Sequence, residues 1–201
     1  MKKTLTFVLC AMILFLSSSY AQKGRFGFQA GGTMSWIRGG EGYPDPKIDF
    51  TGGVLFDIAV NNFVIQPQLN YVSKGGESDY YDTRLDLGYV EMPVNLYYRH
   101  KPEQGFFIGG GPYLGFAVSG KIKSETYGNH EIQFGNEYTD DYHRVDFGIN
   151  LVSGYLLPNG LQFAVNYSSG LNNISTRSYP QVDGINPFTR NIGVRISYLL
   201  K

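Results

Sequence analysis

The 201-residue chain has one cysteine, Cys10, one tryptophan, Trp36, and three histidines. Cys10 lies inside an N-terminal apolar run, so the rest of the chain can form no disulfide and offers no thiol nucleophile or thiolate ligand. His100, His130 and His143 share no metal-ligand spacing, which leaves zinc without a binding pattern, and no cofactor is expected. Charge of one sign is not in excess: 17 basic residues balance 17 acidic ones without a basic cluster, so a nucleic-acid backbone finds nothing to hold it. Beyond the N-terminal segment, no stretch reaches the roughly eighteen consecutive apolar residues of a membrane-spanning helix. Linkers and low-complexity tracts are also missing, which indicates one domain.

The N-terminal run has a specific layout. Lys2 and Lys3 precede an apolar stretch from Leu5 to Leu16, and Ser19-Tyr20-Ala21 forms a small-x-small site before Gln22. This arrangement predicts a cleavable signal peptide over 1–21 and a mature domain over 22–201. Cys10 has further hydrophobic residues after it and does not fit a lipoprotein cysteine.

The mature sequence alternates apolar with polar residues. In Leu85 to Arg99, the residues Val90, Met92, Val94, Leu96 and Tyr98 occupy one parity, and Glu91, Asn95 and Arg99 the other. Period two is the signature of a strand. The pattern recurs over 25–37, 50–60, 63–74, 85–99, 106–119, 144–157, 161–170 and 190–200. Short turns at Asn61-Asn62, His100 to Gly105 and Pro158-Asn159-Gly160 alternate with long polar connections, Arg38 to Asp49, Gly75 to Arg84, Gly120 to His143 and Leu171 to Thr189. Alternating strands with this loop rhythm predict an all-β fold, an eight-stranded antiparallel up-and-down transmembrane β-barrel in a bacterial outer membrane. Both termini then lie on the periplasmic side. Because the lumen half of each strand is polar, a mean hydropathy of −0.20 is compatible with membrane insertion.

Parity assigns Phe28, Val54, Leu69, Val94, Leu96, Ile149 and Val194, among others, to the lipid face, with no charge in the set. The lumen face receives Gln29, Gln66, Asn70, Asn95, Asn150, Gln162 and Asn166 together with Asp57, Gln68, Glu91, Arg99, Asp146 and Arg195. Lipid-face aromatics fall at the strand ends: Phe26, Phe63, Tyr98, Phe106, Tyr155 and Tyr198 near the short turns, Trp36, Phe50, Tyr71 and Tyr167 near the long loops. Two aromatic girdles suit two headgroup levels. A soluble sandwich would leave one face to water, and a lipocalin-type barrel would invert the faces without needing girdles. Pro67, Pro93 and Pro112 sit mid-strand, where each removes a ladder donor and favours a bulge. A bulge at Pro93 would turn Asn95 and Arg99 toward lipid, so an unbroken register is expected.

Several segments carry a family likeness: FVIQPQLNYVSKG (63–75), LDLGYVEMPVNLYYR (85–99), GGGPYLGFAVSGK (109–121), NYSSGLNNIS (166–175) and RNIGVRISYLL (190–200). In content and order they resemble the PorT-like outer-membrane β-barrel family of Bacteroidetes-type bacteria. The resemblance implies a barrel in the cell envelope. Through the family's namesake it also implies an alternative role, as accessory barrel of a protein secretion or assembly machine.

Candidate chemistry is sparse. Asp57, Glu91 and Asp146 could supply a carboxylate pair beside Arg99 and Arg195, but narrow barrels fill their interior with side chains and pair their buried charges, which favours a structural network. Asp140, Asp141 and His143 near the loop rim could serve an outer-membrane hydrolase or acyltransferase, but they sit in a charged loop with no evident partner dyad, and a solvated loop is the favoured explanation. Tyr127, Tyr138 and Tyr142, with Asp140 and Asp141, form a candidate partner-binding loop, joined by Tyr43, Tyr80 and Tyr81 in other connections. Aromatic loops on a rigid scaffold can bind a protein or glycan, or they can pack on one another. Gly109-Gly110-Gly111 lacks the helix and Lys-Ser/Thr of a phosphate loop, so close strand approach is the expected reason for it. The reading is thus a non-enzymatic structural or surface-interaction protein in contact with outer-membrane lipid, its oligomeric state open.

Overall fold

A computed structural model describes residues 23–38, 45–78, 82–101, 103–124, 128–135, 137, 140–176 and 187–200. Residues 1–21, expected to be a signal peptide, lie outside the described residues. The strands are β1 (Lys23–Arg38), β2 (Lys47–Val60), β3 (Phe63–Ser78), β4 (Thr83–Lys101), β5 (Gln104–Ser124), β6 (His130–Glu131), β7 (Val145–Leu156), β8 (Leu161–Gly170) and β9 (Phe188–Leu199). Eight of them form an antiparallel barrel in the order β4-β3-β2-β1-β9-β8-β7-β5, closed by a β4–β5 ladder. The two-residue β6 is an appendage, paired with Lys121 and Ile122 at the outer end of β5.

Alternation decides which way each side chain points. On β4, Asn95 is 0% exposed while Leu96 beside it is 52% exposed, as period two requires for a wall between lipid and lumen. The outward belt includes Phe28, Leu69, Ile108, Phe147, Ile149, Leu151, Val165, Val194 and Ile196. Phe63, Tyr98, Phe106, Tyr155 and Tyr198 face out at the turn end, with Phe63 and Tyr98 in edge contact at 5.8 Å. Phe50 and Tyr71 face out at the loop end, where Trp36 and Tyr167 are half-buried.

None of the three mid-strand prolines shifts the register. Pro67 stands opposite Val94, Pro93 opposite Tyr113 and Pro112 opposite Ile149, with the same pairing offset on either side of each. The β4–β5 ladder is irregular elsewhere, at the turn between Arg99 and Lys101 and, with more consequence, near the loops. There Gly88 pairs Ser119 while Tyr89 pairs Ala117, so Val118 is the extra residue of a bulge. Val118 and Ser119 both face outward, and beyond them the outward parity of β5 moves to Ser119, Lys121 and Lys123. The tight β4–β5 approach explains the triple glycine, since a Cβ on Gly109 or Gly111 would run into the backbone carbonyls of Leu96 and Val94.

The barrel is taller on one side than the sequence pattern indicates. β4 and β5 run 19 and 21 residues, against 10 in β8 and 12 in β7 and β9. The β2–β3 ladder stops at Thr51 and Val72, yet β3–β4 continues to Ser78 and Thr83, and β4–β5 to Thr83 and Ser124. Residues 75–78, 83–84 and 120–124, expected in loops, are therefore strand. Their inner face explains why: Leu85, Leu87 and Tyr89 are wholly buried with Ile37, Ala117, Ile132 and Ile174. Full burial of each leucine contributes about 1.5–3 kcal/mol, enough to draw the strands past the membrane level.

Candidate functional site

The lumen is a stack of polar layers. Nearest the turns, the Asp57 carboxylate accepts from Arg99 Nη2 at 2.7 Å, Arg25 Nη2 at 3.0 Å and Gln66 Nε2 at 2.9 Å. Gln68 in the next layer donates to Gln66 at 2.9 Å and accepts from Gln29, Asn70 and Arg195 Nη1 at 2.8, 3.0 and 3.2 Å. Asn150 then donates to Asn95 at 2.9 Å and accepts from Ser168 at 2.9 Å. Toward the loops, Lys74 Nζ lies 2.5 Å from Glu91 and 2.7 Å from Asp146, over the Tyr113 ring at 4.5 Å. Thr189 Oγ1 adds a 2.8 Å hydrogen bond to Asp146.

Asp57, Gln68, Glu91, Arg99, Asp146 and Arg195 thus all lie inside the barrel, divided between two ionic centres and the amide layers joining them. Lys74 is the residue the sequence reading did not single out, although it shares the parity of Gln66, Gln68 and Asn70. It turns Glu91 and Asp146 into two arms of one ion triad. With Glu91 3% and Asp146 0% exposed and a cation between them, the pair is disposed for charge compensation rather than for proton transfer to a substrate.

Apolar clusters share the interior with these layers. Leu55, Leu156 and Leu199 form one cluster and Val64, Tyr97, Phe107, Val152 and Ala164 another, in which the Tyr97 and Phe107 rings are 5.0 Å apart. At the loop end the cluster around Leu85 and Leu87 is completed by Ile132, Ile174, Ile122, Phe134 and Tyr142. Ile132, Phe134 and Tyr142 belong to the segment between β5 and β7. The described part of that connection therefore folds over the mouth.

The candidate partner loop is accordingly tied down where it is described. Tyr142 bridges to Phe134 and Ser175 and packs on the mouth cluster. Asp141 Oδ2 accepts the Gln133 N–H at 3.0 Å, and Asp140 Oδ2 the Glu137 N–H at 2.8 Å. Thr176 Oγ1 donates to the Asp140 carbonyl, and the His143 N–H donates to the Ile174 carbonyl at 2.7 Å. Asp140 and Asp141 thereby shape the loop's own backbone. Tyr127 and Tyr138, like Tyr43, Tyr80 and Tyr81, lie outside the described residues.

A third ionic cluster stands on the tall side, above Tyr71. Asp86 accepts from Lys47 at 2.5 Å, Lys123 at 2.7 Å and Arg84 Nε at 2.9 Å. Arg84 also meets Glu77 at 2.7 Å and Asp49 at 3.2 Å, and Lys47 pairs with Asp49. Partial burial works to raise the Asp86 pKa, but hydrogen bonds from Lys123, Lys47 and Arg84 outweigh it and hold the carboxyl well below the usual range. No periodic signal announces this cluster, because Lys121 and Lys123 reach the outer wall only through the Val118 bulge.

A closed antiparallel barrel with an apolar belt, aromatic rims and a polar filled lumen is the construction of an outer-membrane barrel protein. Residues 19–176 match the family described as outer membrane protein beta-barrel domain, and the chain belongs to that family. No curated protein matches its sequence. Among solved structures, Neisserial surface protein A aligns with 86% of this chain and 96% of its own at 10% identity and a TM-score of 0.51, a likeness of fold. The attachment invasion locus protein Ail of Yersinia pestis aligns with 89% of this chain and 99% of its own at 13% identity and a TM-score of 0.47. OprG of Pseudomonas aeruginosa aligns over 88% and 97% at 15% identity and 0.40.

Proposed function

We propose that this protein is a non-catalytic, non-conducting outer-membrane barrel of PorT-like type, which acts through the surface it presents at its loop end. The observation that carries this reading is the sealed lumen: ionic and amide layers fill it and an apolar cluster covers its outer mouth. A solute has no path through such an interior and a substrate has no access to its carboxylates. What remains for interaction is the loop surface, where a protein or glycan partner would be met, and the outer wall. Residues 1–21 serve as the export signal, and both termini stay in the periplasm.

The orientation and the surface role can be tested together. An epitope inserted at 79–81, between β3 and β4, is expected to bind antibody on intact cells, and a photo-crosslinker there is expected to capture a partner. Epitope accessibility only after permeabilisation would refute the orientation, and crosslinks to periplasmic proteins alone would refute the surface role. The segments at 63–75, 85–99 and 190–200 that resemble the PorT-like family support a second reading, an accessory barrel of a secretion machine. Co-purification of a multi-protein complex from native membranes would favour it.

A further inference from the structure

The outward face of the tall side changes character abruptly above the aromatic level. Val90, Phe116 and Val118 end the apolar wall there, and Arg84, Lys121 and Lys123 continue it upward. A pocket of about 320 Å³ opens at this boundary, with Phe50 and Tyr71 beside its floor and the three cations on its upper walls. The Tyr71 and Ser119 hydroxyls converge over Gly88, where a Cβ would meet both. Asp49 and Asp86 also line the pocket.

The cations are not equally committed to those carboxylates. Arg84 and buried Lys47 are held by short ion pairs. Lys123 also pairs with Asp86 at 2.7 Å, from a side chain 54% exposed, whereas Lys121 stands 3.6 Å from Glu131 with the two side chains 55% and 85% exposed. The Lys121–Glu131 pair, exposed on both sides, is weak and readily exchanged for another anion. The pocket therefore offers hydroxyl donors, the available Lys121 ammonium and the exposed Lys123 beside it on a wall that faces the membrane rather than the lumen, at the depth where aromatic rings mark the headgroups. A phosphate ester is the anion that this donor set suits, and at this depth it belongs to a lipid.

We propose that the pocket between Tyr71, Ser119, Lys121 and Lys123 binds the phosphate-bearing headgroup of a membrane lipid whose chains lie against Val90, Phe116 and Val118. The Val118 bulge is what makes the site: with unbroken parity Lys121 and Lys123 would point inward, and the wall would carry Gly120 and Ile122 instead. The inference rests on the membrane-spanning reading of the barrel.

The test uses the full barrel in nanodiscs and compares spin-labelled phosphatidic acid with spin-labelled phosphatidylcholine for the fraction immobilised at the protein surface. The parent should prefer phosphatidic acid by about fivefold. Lys121→Gln/Lys123→Gln should reduce the preference to near unity, and Lys101→Gln at the opposite rim should leave it intact. Inorganic phosphate should not compete. Equal association of both lipids with the parent, or a preference retained in the double variant, would overturn the site. Competition by inorganic phosphate would overturn its assignment to a lipid. Nanodiscs carry lipid in both leaflets, so the outcome does not depend on which end faces outside; failure of the membrane reading would show earlier, as failure to enter the disc as a folded barrel.

Discussion

Replacing Lys74 with methionine removes the cation from the triad while keeping most of the side-chain volume. Asp146 would then keep the Tyr113 and Thr189 hydroxyls, the latter at 2.8 Å, while Glu91 would lose its ion-pair partner. Because both carboxylates are almost fully buried, the loss is that of one partner from a buried ion cluster, which costs about 3–5 kcal/mol. An exposed ion pair would cost less than about 1 kcal/mol, so the two cases separate clearly. Urea unfolding in lipid vesicles, followed by the fluorescence of Trp36, the only tryptophan, reads the difference directly. Adding Glu91→Gln to Lys74→Met should recover part of the loss by removing one uncompensated charge. A Lys74→Met variant within about 0.5 kcal/mol of the parent would refute the triad as an organising element of the lumen.

Leu96→Arg places a charge at mid-wall on the lipid face and should cost roughly 2–4 kcal/mol in the same assay, whereas His100→Arg at the rim should cost less than about 1 kcal/mol; equal costs would contradict the assigned belt. Asp86 has a folded pKa below its unfolded value, so its stabilisation is present above the unfolded pKa and is lost as pH falls through the folded one. The parent should therefore lose stability relative to Asp86→Asn on acidification below about pH 4, and parallel pH profiles would count against that cluster. Replacing residues 125–141 by a Gly-Ser linker removes Ile132 and Phe134 from the mouth. Membrane insertion should survive, since an outer connection can be shortened without touching the ladder, while the amides of Leu85 and Leu87 should exchange faster; unchanged protection would show that the loop does not cover the mouth.

Period-two alternation made the wall legible from the residues alone, because one-residue spacing decides between lipid and lumen. That is why Asn95 and Leu96 could be assigned to opposite faces despite Pro93. Strand ends at the loop side were harder. Gly75-Gly76 and the charged Arg84 read as loop, and what holds them in the sheet is non-local burial of Leu85 and Leu87 against Ile132 and Ile174. Isolated apolar residues in a polar connection give no periodic signal. The Val118 bulge has none either, so the outward turn of Lys121 and Lys123 could not be read. Lys74 was within reach of the parity rule, but its role depended on Glu91 and Asp146 converging from other strands.

Single-channel conductance of the purified, refolded protein in planar lipid bilayers tests the sealed lumen most directly. Arg99–Asp57 and Lys74–Glu91–Asp146 fill the interior and the Leu85–Leu87 cluster covers its mouth, so inserted barrels are expected to give no resolved ion-conducting steps. Steady, reproducible open-channel currents from the folded parent would contradict the account.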